Sequence, residues 1–232
     1  MYTRCSNTTV NSFEKSRGGT KKLEGPKEEA GLTHRQRQAL WTRRLIVDAA
    51  RGLFLERGYA ATTIDAIAKE AGVAVSTVYA VYKNKRTILR AIREAWHEQT
   101  RAREINAEAS RQPDPERRLE MVVHATRRQW ETGGSVLAVY QGAAAADREA
   151  AAELEEALRG RRAALDRVVE GMEETLRPDL GVDRAAAILR ALCRAEVYRE
   201  LVEESGWSPD EYEAWLRETL KWQLLPSATS HT

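Results

Sequence analysis

Cysteine and proline are scarce in this chain, with two and six residues respectively among 232. Cys5 and Cys193 lie far apart and belong to no C-x-x-C, which excludes a disulfide framework and a cysteine-based zinc or redox motif. Cys193 beside Leu192 reads as a small buried hydrophobe. No stretch approaches the ~20 apolar residues of a bilayer span, and the N-terminus has no apolar core of the signal-peptide kind. The expectation is a cytoplasmic protein without a membrane partner. His34, His97, His124 and His231 are scattered, with no H-E-x-x-H, so no metal site is expected. The chain also lacks G-x-G-x-x-G, G-x-x-x-x-G-K-[ST] and G-x-S-x-G. It therefore reads as neither an enzyme nor a cofactor carrier. The shortage of proline, and the absence of alternating β-branched runs, leave strands little room. Ala, Leu, Arg and Glu dominate, all good helix formers, and the predicted fold class is all-α.

The net charge of +2 hides an uneven distribution. Residues 1–95 carry 18 Lys/Arg against 9 Asp/Glu, while residues 96–232 carry 19 against 26. A basic front and an acidic rear suit a protein that binds phosphates at one end. An acidic helical rear also serves simply to keep that surface solvated.

Residues 62–92 read TTIDAIAKEAGVAVSTVYAVYKNKRTILRAI. Thr62 or Thr63 can cap a first short helix, along which Ile64, Ile67, Ala68 and Ala71 recur at helical spacing. Gly72 suits a helix exit at positive φ. A second helix follows with Val75, Val78 and Tyr82 inward, so that Ser76, Thr77, Tyr79, Ala80 and Lys83 form the other face. Small side chains there let the backbone approach DNA, and hydroxyls and a phenol can reach base edges and phosphates in a major groove. Asn84 is a plausible cap for the next helix.

Several motifs agree across three predicted helices: Thr62-Thr63, Ile67-Ala68, Ala71-Gly72-Val73, Thr77-Val78-Tyr79 and Lys85, preceded by Ile46, Ala49-Ala50, Leu53-Phe54 and Arg57-Gly58-Tyr59. Together they resemble the DNA-binding domain of the TetR family of bacterial transcriptional regulators, over roughly residues 41 to 93. The resemblance implies a ligand-responsive regulator, most simply a repressor. It implies a homodimer joined through its C-terminal helices, and a pseudo-palindromic double-stranded DNA operator with half-sites ~34–36 Å apart. It also implies that Lys85 contacts a phosphate near a helix N-terminus. Arg43, Thr62, Thr63, Val75, Ser76, Thr77, Tyr79, Ala80, Lys83 and Lys85 are the expected DNA-binding residues. Ala74 departs from the family, which often has a capping serine there; the missing acceptor costs roughly 1 kcal/mol unless Ser76 takes over. An architectural DNA binder that senses nothing is the alternative.

The expected organisation is a disordered arm over residues 1–33, a DNA-binding domain over 34–95, a ligand-sensing and dimerisation domain over 96–225, and a tail over 226–232. The first helix is predicted from about Leu40 to Arg57, and the fourth from about Arg86 to Ala109. A fifth runs from Glu116 to Glu131 and stops at Gly133-Gly134-Ser135, before a sixth over Val136 to Ala146. A seventh extends from Asp147 to about Arg177, an eighth from about Val182 to Ser205, and a ninth starts at Ser208-Pro209. Trp96, His124, Trp130, Tyr140, Met172 and Tyr198 are candidates to line a pocket, though each also reads as plain core. An apolar or aromatic small molecule is the expected effector. The acidic surplus disfavours a polyanion unless arginines such as Arg127, Arg128 or Arg194 turn inward.

Overall fold

The computed structural model describes residues 31–226. The arm expected over residues 1–33 therefore lies almost wholly outside the described residues, as do residues 227–232 of the tail. The chain divides into two units, Met1–Gln38 and Ala39–Thr232. In the first, Thr33 and Gln36 cap a helix start reciprocally. The Thr33 amide donates to Gln36 Oε1 at 2.8 Å, and Thr33 Oγ1 accepts the Gln36 amide at 3.3 Å. This cap starts the first helix at His34, six residues before the predicted Leu40.

Helices run in the order α1 (His34–Arg57), α2 (Ile64–Glu70), α3 (Val75–Val81), α4 (Lys85–Thr100), α5 (Ala102–Ala109), α6 (Pro115–Ala146), α7 (Arg148–Glu170), α8 (Val182–Leu192), α9 (Ala195–Tyr198) and α10 (Pro209–Leu224). A 3-10 turn occupies Glu173–Thr175, and α9 passes into a π-helical turn over Arg199–Glu204. No strand occurs among the described residues, and the fold is all-α.

Two apolar cores form within the second unit. One gathers Ile46, Leu53 and Phe54 of α1 with Ile67 of α2, Val78 of α3 and Ile88, Leu89 and Ile92 of α4. It continues without a break into Val136, Val139, Tyr140 and Ala143 of α6 and Ala150 of α7. The other joins Leu119, Val122 and Trp130 of α6 to Leu165 and Val169 of α7, Leu189 of α8 and Tyr212, Leu216 and Leu220 of α10. The long helix α6 thus serves both cores, and α4 packs on it.

Four predicted helix limits in the second unit are overturned, three of them for a visible reason. The fourth helix ends at Thr100 rather than Ala109, because Arg101 adopts a left-handed conformation (φ 51°). Arg128 of α6 takes up the carbonyls freed there, donating to Gln99 and Thr100. The fifth and sixth predicted helices are one, because Gly133 does not break α6. A Cβ on Gly133 would stand 2.5 Å from Trp96 Cζ2, so the missing side chain admits the indole. The eighth predicted helix is cut at Cys193, whose carbonyl accepts from Trp130 Nε1 and Arg161. The seventh also ends early, at Glu170. At the ends, Asn84 and Thr87 form a capping box on α4, and Ser208 and Glu211 form one on α10.

Candidate functional site

The helix-turn-helix is assembled as its sequence pattern requires. Thr63 caps α2, its side chain accepting from the Ala66 amide at 3.1 Å. Gly72 turns the chain at φ +66°, a conformation open to glycine without a Cβ penalty. α3 then starts at Ala74 with no side-chain cap, and Ser76 does not replace one. Val78 is fully buried, whereas Tyr79, one residue on, is 53% exposed. Ser76, Ala80 and Lys83 are exposed and Thr77 half-exposed, so one outward surface carries small, hydroxyl, phenolic and cationic groups. Arg43 of α1 is exposed nearby: its charge partly offsets the upward pull of burial on the Tyr82 phenol.

Three of the expected DNA-binding residues sit differently. Thr62 is 1% exposed, and its hydroxyl lies 2.8 Å from the Gly58 carbonyl and 3.2 Å from that of Leu53. It braces the α1–α2 loop from inside and reaches no surface. Val75 is half-buried against the helix-turn-helix core. Lys85 donates to the Tyr59 and Ala60 carbonyls, its Nζ 4.7 Å from the centre of the Tyr59 ring. Burial lowers its pKa. Two of its three N–H groups thus clamp the α1–α2 loop to α4, and one remains. Arg86, also basic and adjacent, is ion-paired with Glu149 and Glu153 of α7.

A cavity of about 490 Å³ opens between α4, α5, α6 and α7. Trp96, Trp130 and Tyr140 line it, as the sequence suggested. Met172 does not: it is buried in the second core. His124 lies on the surface, its Nδ1 3.1 Å from Glu213. Tyr198 packs edge-on to Tyr212 and borders a separate groove beside α9. Arg127 pairs with Asp210 and Glu213, Arg194 with Glu196, and Arg128 caps α4, so none of these arginines faces the cavity.

Arg161 of α7 faces it instead. Its guanidinium donates to Gln129 Oε1 at 2.9 Å and to the Cys193 carbonyl, and lies 4.8 Å from the Trp130 ring centre. Burial lowers its pKa, and no carboxylate among the described residues pairs with it. Trp96 and Trp130 stand 6.3 Å apart, and the His97 ring 4.7 Å from Trp96. Burial, with Arg103 adding to it, pulls the His97 pKa down to about 4. His97 Nδ1 and Asn106 Oδ1 are buried at the cavity without a hydrogen-bond partner. The Tyr140 hydroxyl donates to the Leu89 carbonyl at 3.1 Å, and burial raises its pKa to about 12. One wall of the cavity is therefore α4, the same helix whose Lys85 holds the helix-turn-helix.

A signal for Arg161 does exist in the sequence. Leu154, Leu158, Leu165 and Val168 recur at helical spacing along α7, and Arg161 stands in the middle of that stripe. Its place on that stripe separates it from Arg159 and Arg162 on either side, which are exposed. His97, Gln129 and Asn106 have no comparable mark.

Among the described residues, no helix is long and apolar enough to cross a membrane, and no group of three His, Cys, Asp or Glu residues could hold a metal ion. Residues 46–92 match the family model of the bacterial regulatory proteins of the tetR family. No curated protein matches the chain in sequence. Solved structures match its fold. A complex of SmeT with triclosan has a TM-score of 0.67 at 21% identity, covering 81% of this chain and 93% of SmeT. FadR from Bacillus subtilis with stearoyl-CoA gives 0.58 at 21%, covering 76% and 96%. A tetR-family regulatory protein from Rhodococcus RHA1 gives 0.62 at 22%, covering 80% and 98%. Residues 46–92 thus form a helix-turn-helix domain of the tetR family of bacterial regulatory proteins, and the helical body that carries it has the fold of these solved structures.

Proposed function

We propose that this protein is a transcriptional repressor that binds a pseudo-palindromic operator as a homodimer and releases it when a small molecule fills the cavity. The observation that carries the reading is the division of α3. Val78 anchors it in the core while Ser76, Thr77, Tyr79, Ala80 and Lys83 face outward together. Such a face can lie in a major groove, where Thr77 and Tyr79 meet base edges and Lys83 a phosphate. Arg43, Thr63 and the remaining N–H of Lys85 add backbone contacts at its margins.

The proposed dimer forms through the outer faces of α8 and α10. Leu189, Tyr212, Leu216 and Leu220 are consumed in the chain's own core. Ala187 and Ala191 of α8, Ala214 of α10 and Trp222, which is 68% exposed, remain for a partner. An isologous contact there presents two α3 helices to one side of DNA. A ligand in the cavity touches Trp96 and His97 of α4, and α4 holds the helix-turn-helix through Lys85. Ligand binding thus biases the dimer toward an arrangement of lower operator affinity.

Mobility-shift titrations against the preferred operator and against scrambled DNA test this function. Thr77→Ala and Tyr79→Ala are expected to change which operator is preferred, whereas Lys83→Ala weakens all sequences alike. An architectural binder would show no preference to lose. Equal affinity of the unaltered protein for every duplex would refute the proposal.

A further inference from the structure

We infer that the cavity takes an amphipathic monocarboxylate, with its carboxylate on Arg161 and its apolar body against Trp96, Trp130 and Tyr140. The inference rests on the cavity being the effector site proposed above, and adds the chemical class of that effector.

Arg161 is the reason. A guanidinium carries five N–H donors, and only two bonds are present, to Gln129 Oε1 and the Cys193 carbonyl. Both acceptors are neutral, so among the described residues the positive charge has no anionic partner. A half-buried charge without a counter-ion is costly, and a carboxylate supplied by a ligand would meet both the charge and the free donors bidentately. Arg118 shows how a buried arginine is used structurally in this chain. It donates to the Gln112 and Val168 carbonyls, and its fork fills the space above Gly171, where a Cβ would stand 2.7 Å from Nη1. The Arg161 fork borders open volume instead.

The other charges at the cavity agree. Arg93 and Arg103 both pair with Glu94, leaving Arg161 and Arg167 against Glu156. The rest of the wall is apolar and aromatic, with His97, Trp96, Trp130 and Arg161 stacked in succession. This arrangement suits a ring or a short chain joined to one acidic group. The unpartnered Asn106 Oδ1 and His97 Nδ1 offer a second polar contact for a ligand hydroxyl or amide. At about 490 Å³ the space lies in the lower half of the ~300–1,000 Å³ usual for ligand sites.

The test uses the full chain and matched pairs of probes: 1-naphthaleneacetate, 4-phenylbutyrate and decanoate, each beside its own primary amide. Binding is read by tryptophan fluorescence and by thermal shift. At least one acid is expected to bind tenfold or more tightly than its amide. Arg161→Gln should remove that preference, Arg161→Lys restore part of it, and Arg162→Gln, on the exposed side of α7, leave it intact. If no acid outbinds its amide, or if the preference survives Arg161→Gln, the inference is overturned. Should Arg161→Gln fail to fold, the acid–amide comparison on the unaltered chain and Arg161→Lys decide it. DNA binding is measured separately without probe. Loss of operator binding with acid preference intact would remove the repressor reading and leave the ligand class standing; the reverse result would do the opposite.

Discussion

Two glycines of the same helix should respond in opposite directions to the same substitution. Alanine is favoured over glycine inside a helix by about 1 kcal/mol, so Gly→Ala in α6 stabilises wherever there is room. Gly142 has that room, with nothing within 4 Å of an added Cβ. Gly142→Ala should raise stability by about 0.5–1 kcal/mol. Gly133 has none: the added carbon meets Trp96 Cζ2 at 2.5 Å, and Cε2 and Nε1 at 2.8 Å. The indole cannot easily withdraw, because it is hydrogen-bonded to the Gln129 carbonyl at 3.3 Å and stacked between His97 and Trp130. Overpacking of this kind costs about 1–3 kcal/mol, which exceeds the propensity gain at all but the bottom of its range. Gly133→Ala should therefore be destabilised by up to about 2 kcal/mol, lowering Tm by roughly 4–8 °C at 2–4 °C per kcal/mol for a chain this size. It should also perturb the fluorescence of Trp96 and Trp130 at the cavity, which Gly142→Ala should leave alone. Circular-dichroism melts of the three proteins are sufficient. A Gly133→Ala protein as stable as Gly142→Ala would refute the close approach of α4 and α6.

Lys85→Met should lower stability by about 1–2 kcal/mol through loss of two charge-assisted bonds, and reduce affinity for all DNA sequences together; unchanged melting would mean the clamp on the Tyr59 and Ala60 carbonyls is idle. The His97 pKa lies below its unfolded value of 6.5, at about 4, so its contribution is complete above pH 6.5 and is lost as pH falls toward 4, where the unfolded chain binds the proton first. His97→Gln should flatten the pH dependence of stability in that window, and an identical slope in both proteins would contradict the burial of the imidazole. Trp222→Lys should convert a dimer to monomers in sedimentation without unfolding them, since Trp222 belongs to neither core. Removing α10 altogether is a poorer probe, because Tyr212, Leu216 and Leu220 would leave the core with it.

What the sequence made legible was local. The caps at Thr63, Asn84 and Ser208, the Gly72 turn and the inward stripe of α2 and α3 each depend on residues a few positions apart, and each appears where the spacing requires. What escaped was tertiary. Gly133-Gly134 reads as a helix stop until the Trp96 indole, 37 positions earlier in the sequence, is known to need the space. Arg101 ends α4 although nothing local demands it, because Arg128 from another helix collects the freed carbonyls. Thr62 and Lys85 carry the family's pattern, but their polar atoms are occupied inside the domain, a distinction that spacing cannot make. The cavity was half legible. Trp96, Trp130 and Tyr140 are large residues on inward stripes, whereas His124 and Met172 sit in sequence positions that look equivalent and face solvent and core respectively.

The proposed repressor rests most directly on how the full-length protein covers DNA. Footprinting on the operator selected from random duplexes should give two protected half-sites centred about one helical turn, ~34–36 Å, apart, with one dimer bound and protection lost in Tyr79→Ala. Protection that spreads evenly along any duplex, or that survives Tyr79→Ala unchanged, would contradict recognition through α3.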